Sequence, residues 1–179
     1  ERYEGVEKRM LEKAMDVLGL HYVRPIDYAQ MATKALKRCD LLAQVLVTAC
    51  ARDPNMARTN SLTPPDPARV AAWSAALAGL RDEIERTSQG FGKAGLFTVL
   101  DKVLSLNEAT VELPPPALVA HFSEAALAVL DPYTVVVWPQ QVQDFEKQMT
   151  NHFTGIGIEI SRTKGLLTVA SLLPDTPAY

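Results

Sequence analysis

The feature that most limits what this chain can fold into is a change of apolar period at Gly155. Up to that point apolar residues recur at helical spacing, three or four positions apart. From Gly155 the period is two: Ile156, Ile158 and Ile160 alternate with Gly157 and Glu159. A period of two belongs to a strand. Arg162-Thr163-Lys164-Gly165 then reads as a turn, with Gly165 suited to a positive φ, and residues 166–172 read as a second strand. The expected fold is mainly α: a bundle-like helical domain of about six helices over residues 1–150, followed by a β-hairpin within 151–179.

The helical part is punctuated by proline and glycine. Residues 2–18 carry Tyr3, Val6, Met10, Met15 or Ala14, and Val17 or Leu18 on one face, with Gly19 as the stop. Asp27 with Gln30 has the pattern of a capping box. It opens a long helix with Met31, Ala35, Leu36, Cys39, Leu42, Leu46 and Ala49 on its apolar face, ended by Asp53-Pro54. Residues 53–67 read as a loop. Asp66-Pro67 is an N-cap followed by proline at the first helical position, ahead of Val70, Trp73, Leu77, Leu80 and Ile84. A short helix is expected over 96–106. Another carries Leu118, Phe122, Ala125 and Val129, and a last one opens at Pro139 with Val142, Phe145 and Met149 on its core face.

Charge and composition exclude several classes of function. The net charge is −3 and no basic run is present, which argues against a nucleic-acid footprint. No apolar run approaches the roughly 20 residues of a membrane-spanning helix. The chain begins at Glu1, so the lack of a visible secretory signal carries no information about compartment. Cys39 and Cys50 on one helix would lie about 16 Å apart along its axis. A disulfide needs Cα atoms within about 7 Å, so both read as buried apolar residues.

Several short motifs suggest chemistry that their context does not support. Gly155-Ile156-Gly157 lacks the third glycine and the following helix of a dinucleotide fingerprint. Ser161 and Lys164 match Ser-x-x-Lys, but that motif works on a helical turn, and here a hairpin turn is expected. His21, His121 and His152 have no metal-ligand spacing, and no cofactor is expected. The glycines leave two readings open. They permit a bulge in a hairpin, or they let successive backbone amides form a nest for a carboxylate while a peptide adds to the strand edge.

Read together, residues 127–179 resemble the C-terminal-processing (tail-specific) serine proteases. Leu130-Asp131-Pro132-Tyr133-Thr134 is similar to that family's Leu-Asp-Pro-His-Ser. Phe153-Thr154-Gly155-Ile156-Gly157-Ile158-Glu159 resembles the Phe-Gly-Gly-Ile-Gly-Ile-Glu that opens its PDZ domain. Leu167-Thr168-Val169 and Asp175-Thr176-Pro177-Ala178 are similar to the next strand and to a Thr-Pro-Ala helix start. Upstream, His21-Tyr22-Val23 with Pro25-Ile26-Asp27 resembles the family's N-terminal helical region. Tyr133, Thr134 and Thr154 depart from the pattern, and residues 50–115 read as an insertion relative to it.

The resemblance implies an N-terminal helical domain followed by the start of a PDZ domain that is incomplete at Tyr179. It implies a parent serine-type endopeptidase that captures protein C-termini and cleaves near them, in a periplasmic or otherwise extracytoplasmic compartment. The family's Ser–Lys dyad lies beyond the PDZ domain, so no residue of this chain is assigned a catalytic role. The implied carboxylate-binding residues are Gly155, Ile156, Gly157 and Ile158, and the implied partners are protein or peptide C-termini. A lone hairpin is marginal in water, so residues 155–179 are expected to dock on the helices or to pair with a second copy. The alternative is a non-enzymatic helical interaction or dimerisation module with a degenerate peptide-binding hairpin.

Overall fold

A computed structural model describes residues 3–52, 66–87, 90–142, 145–146, 155–163 and 166–179. The chain divides into two units, Glu1–Gln140 and Gln141–Tyr179. The loop expected at 53–67 lies almost wholly outside the described residues, as do Met149, His152, Thr154, Lys164 and Gly165.

Among its described residues the first unit holds five α-helices: α1 (Lys8–His21), α2 (Tyr28–Arg52), α3 (Pro67–Arg86), α4 (Lys93–Ala109) and α5 (Pro115–Leu127). Helix α2 is the centre, packing against α3, α4 and α5. It starts as its capping residues require: the Gln30 amide donates to Asp27 Oδ1 at 2.9 Å. Met31, Ala35, Leu36 and Cys39 are fully buried along it. Helix α3 starts on Asp66, whose Oδ1 accepts from the Ala68 amide at 2.8 Å, with Pro67 in the first turn. All five residues of its expected stripe, from Val70 to Ile84, are buried. Full burial of an aliphatic or aromatic side chain contributes about 1.5–3 kcal/mol. The shared core of α2 to α5 is therefore what holds this unit together.

Several expectations are corrected. Helix α1 runs through Gly19 to His21 and ends at Tyr22, whose amide donates to Leu18 O. A glycine in a helix costs only about 1 kcal/mol against alanine, and the chain just past it is anchored by Tyr22, whose side chain packs against the core and whose hydroxyl donates to Leu130 O. Leu11 and Met15 are its buried residues, while Val17 is exposed. The short helix expected over 96–106 extends to Lys93–Ala109. Five α-helices are described where about six were expected. At the position of the last, Pro139–Gln141 form a 3-10 turn, and Val142, Phe145 and Glu146 are helical. Val142 and Phe145, expected in a core, are exposed, because a helical spacing marks a common face but does not supply a partner for it.

In the second unit, strand β1 (Ile158–Thr163) pairs antiparallel with β2 (Leu166–Leu172). The pairing carries a bulge. Glu159 pairs with Ser171 and Ile160 with Val169, so Ala170 is the extra residue on β2. The bulge is thus on the second strand and not at the glycines. It has a clear effect on side-chain direction. One face carries Ile158, Ile160 and Arg162 with their partners Leu172, Val169 and Leu167. The other carries Glu159 and Ser161 with Ser171 and Thr168. Without the extra residue, Val169 and Leu172 would face opposite ways. A mostly apolar face is thereby separated from a mostly polar one, where Ser171 Oγ donates to Glu159 Oε2 at 2.7 Å. Every residue of β2 is exposed.

Candidate functional site: the Gly155–Ile158 loop

The loop enters β1 through Gly157, which sits at φ +79°. That region is open to glycine and costly for residues with a Cβ. Space gives a second reason. A Cβ built on Gly157 would lie 1.9 Å from Thr176 Oγ1 and 2.2 Å from Thr176 Cβ. Thr176 is thus packed on the bare Cα of Gly157, nineteen residues earlier in the chain.

The segment after β2 folds back over one side of the loop. The Leu173 amide donates to Gly157 O at 2.8 Å, and the Ala178 amide donates to Ile156 O at 2.9 Å. The return is made by a turn through Pro174 and Asp175, the latter at φ +59°. The Thr176 hydroxyl closes that turn by donating to Leu173 O at 2.6 Å, and the Tyr179 amide donates to Thr176 O at 3.0 Å.

These bonds orient the amides. In a trans peptide the C=O of one residue and the N–H of the next point in opposite directions, and no described peptide bond is cis. Because Ile156 O and Gly157 O both face the returning segment, the N–H groups of Gly157 and Ile158 both face away from it. Neither donates to an acceptor among the described residues. The Leu173-to-Gly157 bond also makes Ile158 and Leu172 a non-hydrogen-bonded pair. Both backbone groups of Ile158 therefore lie along the outer edge of β1. Among the described residues no comparable bond orients the amides of Gly155 and Ile156. Of the four candidate residues, two present donors on a common side and the other two lead into them.

Two other phrases singled out in the sequence meet within the helical unit. The Tyr22 hydroxyl donates to Leu130 O at 2.9 Å, and Arg24 Nη2 donates to the same oxygen at 3.0 Å. Directly after it, Asp131 Oδ1 accepts from the amides of Tyr133 and Thr134, both at 2.8 Å, and its Oδ2 accepts from the Thr134 hydroxyl at 2.7 Å. The Thr134 hydroxyl, then the Tyr133 amide, hold the Asp131 carboxyl below the usual carboxylate range. This is a chain-end lock on α5, and Tyr133 itself is exposed. Both phrases are visible in the sequence, but their contact is created only by the tertiary fold.

The remaining candidates have structural places. Cys39 is fully buried and its thiol is pushed up to about 12 by burial, so it is protonated at neutral pH. Cys39 and Cys50 are both free. Trp73 lies in the core with Nε1 3.4 Å from Cys39 O. His121 stacks edge-on against Tyr3, with ring centroids 5.2 Å apart. Ser161 is on β1 opposite Thr168. Among the described residues no three His, Cys, Asp or Glu side chains are grouped to hold a metal ion. No described helix is long and apolar enough to cross a membrane. A cleft of about 190 Å³ between α3 and α4 is walled by Leu80, Ile84, Phe91 and Val99, with the Glu83–Lys102 ion pair among its lining residues. Compared with protein-family models, curated proteins and solved structures, the chain matches none.

Proposed function

We propose that this chain carries the N-terminal helical region and the first part of the PDZ domain of a tail-specific serine protease, and that its Gly155–Ile158 loop receives a protein C-terminus. The observation that carries the reading is the pair of adjacent amides, Gly157 N–H and Ile158 N–H, turned to the same side, away from the returning segment. A terminal carboxylate has two oxygens and accepts charge-assisted hydrogen bonds from such a pair. The outer edge of β1 begins at that point, so the peptide's own backbone can continue as an added strand. Hydrolysis belongs to a Ser–Lys dyad in the parent protease, and this chain contributes capture alone.

The test is a titration of the ¹⁵N-labelled chain with a short peptide ending in an apolar residue, as the free acid and as the C-terminal amide. The acid is expected to move the Gly157 and Ile158 amide signals with weak, millimolar affinity, and the amide to leave them in place. Equal responses to both peptides would remove carboxylate capture. For the parent activity, the coding sequence after Tyr179 is expected to complete the PDZ domain and then supply the Ser and Lys. An unrelated domain there would favour a helical interaction module.

A further inference from the structure

The loop's shape has to be imposed by something. Gly157 at φ +79° is only one of several conformations open to a glycine. Gly155 adds a second unconstrained position just before it. Left alone, the Gly157 and Ile158 amides would not stay aimed at one point. The three atoms nearest to where a Cβ on Gly157 would sit all belong to one side chain, Thr176.

We infer that Thr176 is the positioning residue of the Gly155–Ile158 loop, holding two amides outward by packing on Gly157 and by fixing the turn whose amides tether the loop's carbonyls. The inference rests on the carboxylate-capture reading for its functional meaning, and on the geometry for its structural one. Thr176 Oγ1 and Cβ occupy the space a Cβ at Gly157 would need. Its hydroxyl donates to Leu173 O at 2.6 Å and lies 3.4 Å from Gly157 O. The turn it closes places the Leu173 amide on Gly157 O, and the residue two beyond it places the Ala178 amide on Ile156 O. Each part of the clamp depends on Thr176: the methyl and Cβ for contact, the hydroxyl for the turn. Serine would keep the hydroxyl, and valine the shape.

The experiment uses the whole 179-residue chain, ¹⁵N-labelled, as wild type, Thr176→Val and Thr176→Ser. Amide exchange of Leu173 and Ala178 is measured without peptide, and binding of the acid and amide peptides is measured in parallel. In Thr176→Val, exchange at Leu173 and Ala178 is expected to rise about tenfold. Affinity for the acid is expected to fall at least fivefold, to the level of the amide. Thr176→Ser is expected to restore most of both. Signals of α2 to α5 report in the same spectra whether the helical unit is intact. If Thr176→Val keeps wild-type exchange and wild-type discrimination between acid and amide, the inference is wrong. It is also wrong if Thr176→Ser behaves as badly as Thr176→Val, because the hydroxyl would then not be what matters. Should the wild type fail to distinguish acid from amide, carboxylate capture falls. The exchange arm still decides whether Thr176 holds the loop.

Discussion

The helical unit and the hairpin unit solve the same problem with opposite outcomes. Both are patterned to put apolar residues on one side. In the helices, that side is closed: Leu11, Met31, Leu36, Trp73, Leu77, Leu100, Leu118 and Phe122 are all fully buried. In the hairpin, the bulge at Ala170 assembles Ile158, Ile160, Leu167, Val169 and Leu172 on one face, yet Leu167 remains 69% exposed and Ile160 57%. Patterning therefore determines which residues share a face, and burial depends on a second layer being present. A two-stranded sheet has no second layer of its own. The contrast also separates two kinds of polar contact. In the helical unit the buried polar groups Asn107 and Ser123 bond to backbone within the core. In the hairpin, the backbone groups of Ile158 are left facing outward along the edge of β1.

The largest test of this contrast removes a side chain of similar character from each unit. Trp73→Ala is expected to destabilise the helical unit by about 3–5 kcal/mol, since it deletes a fully buried indole between α2 and α3. Leu167→Ala in the hairpin is expected to cost under about 0.5 kcal/mol, the range of exposed substitutions. Urea unfolding followed by circular dichroism gives the first value, and the chemical shifts of β1 and β2 report the second. A Leu167→Ala cost above about 2 kcal/mol would mean that the apolar hairpin face is covered in solution.

Next in size is Asn107, a buried polar residue at the end of α4. Its Nδ2 donates to Leu113 O and its Oδ1 accepts from the Leu113 amide, both at 2.8 Å. The side chain thus mimics a strand partner for the loop before α5. Asn107→Ala leaves a buried amide and a buried carbonyl without partners, at a cost of about 2–3 kcal/mol. Asn107→Asp keeps the acceptor and loses the donor, and should fall between the two in thermal melts.

Asp131 gives a pH-dependent prediction with a definite sign. Its folded carboxyl is held below its ordinary value, first by the Thr134 hydroxyl and then by the Tyr133 amide. Its contribution is fully present above the unfolded value, about 3.9, and is lost as pH falls through the lower folded value. Asp131→Ala should therefore be less stable than wild type at pH 7. The gap should close when both are melted below the folded value. A gap that persists unchanged in strong acid would show that the loss comes from turn geometry alone.

Much of the helical unit is legible in the sequence because its signals are local. Asp66-Pro67 marks a helix start by capping chemistry, and the stripe from Val70 to Ile84 marks its buried face by spacing. Glycine as a stop is weaker, since α1 runs on through Gly19 to His21 and closes on Tyr22, whose amide caps Leu18 O and whose side chain packs against the core. Trp138 shows what local reading misses: it is 1% exposed and its Nε1 donates to Glu124 Oε1 at 2.9 Å, although no helical or strand period surrounds it. The candidate site divides in the same way. Gly157 is visible as a residue chosen for its backbone, and φ +79° agrees with that. Its partner Thr176 is not visible, because the contact exists only once β2 has returned the chain across the loop. Nor is the bulge, since Leu166 to Leu172 contains no glycine to mark it and Ala170 is distinguished by pairing alone.

The smallest expected effect asks whether every backbone irregularity in the helical unit is used as Gly157 is. Glu112 lies at φ +51° in the loop that Asn107 supports, a conformation that disfavours a residue with a Cβ. Its side chain pairs with Arg69 at 2.7 Å, with both groups more than half exposed. An exposed pair contributes about 0–1 kcal/mol, while relieving a left-handed conformation with glycine returns about 1 kcal/mol, less the added freedom of the unfolded chain. These terms nearly cancel, so Glu112→Gly should shift stability by no more than about 0.5 kcal/mol in either direction. Glu112→Asn keeps a residue that tolerates the conformation and should be equally silent. A loss above about 1.5 kcal/mol in both would show that the Arg69 contact, and not the loop backbone, ties α3 to the start of α5. Gly157 is the opposite case, because a glycine adopts its positive φ freely and Thr176 occupies the space a Cβ would need.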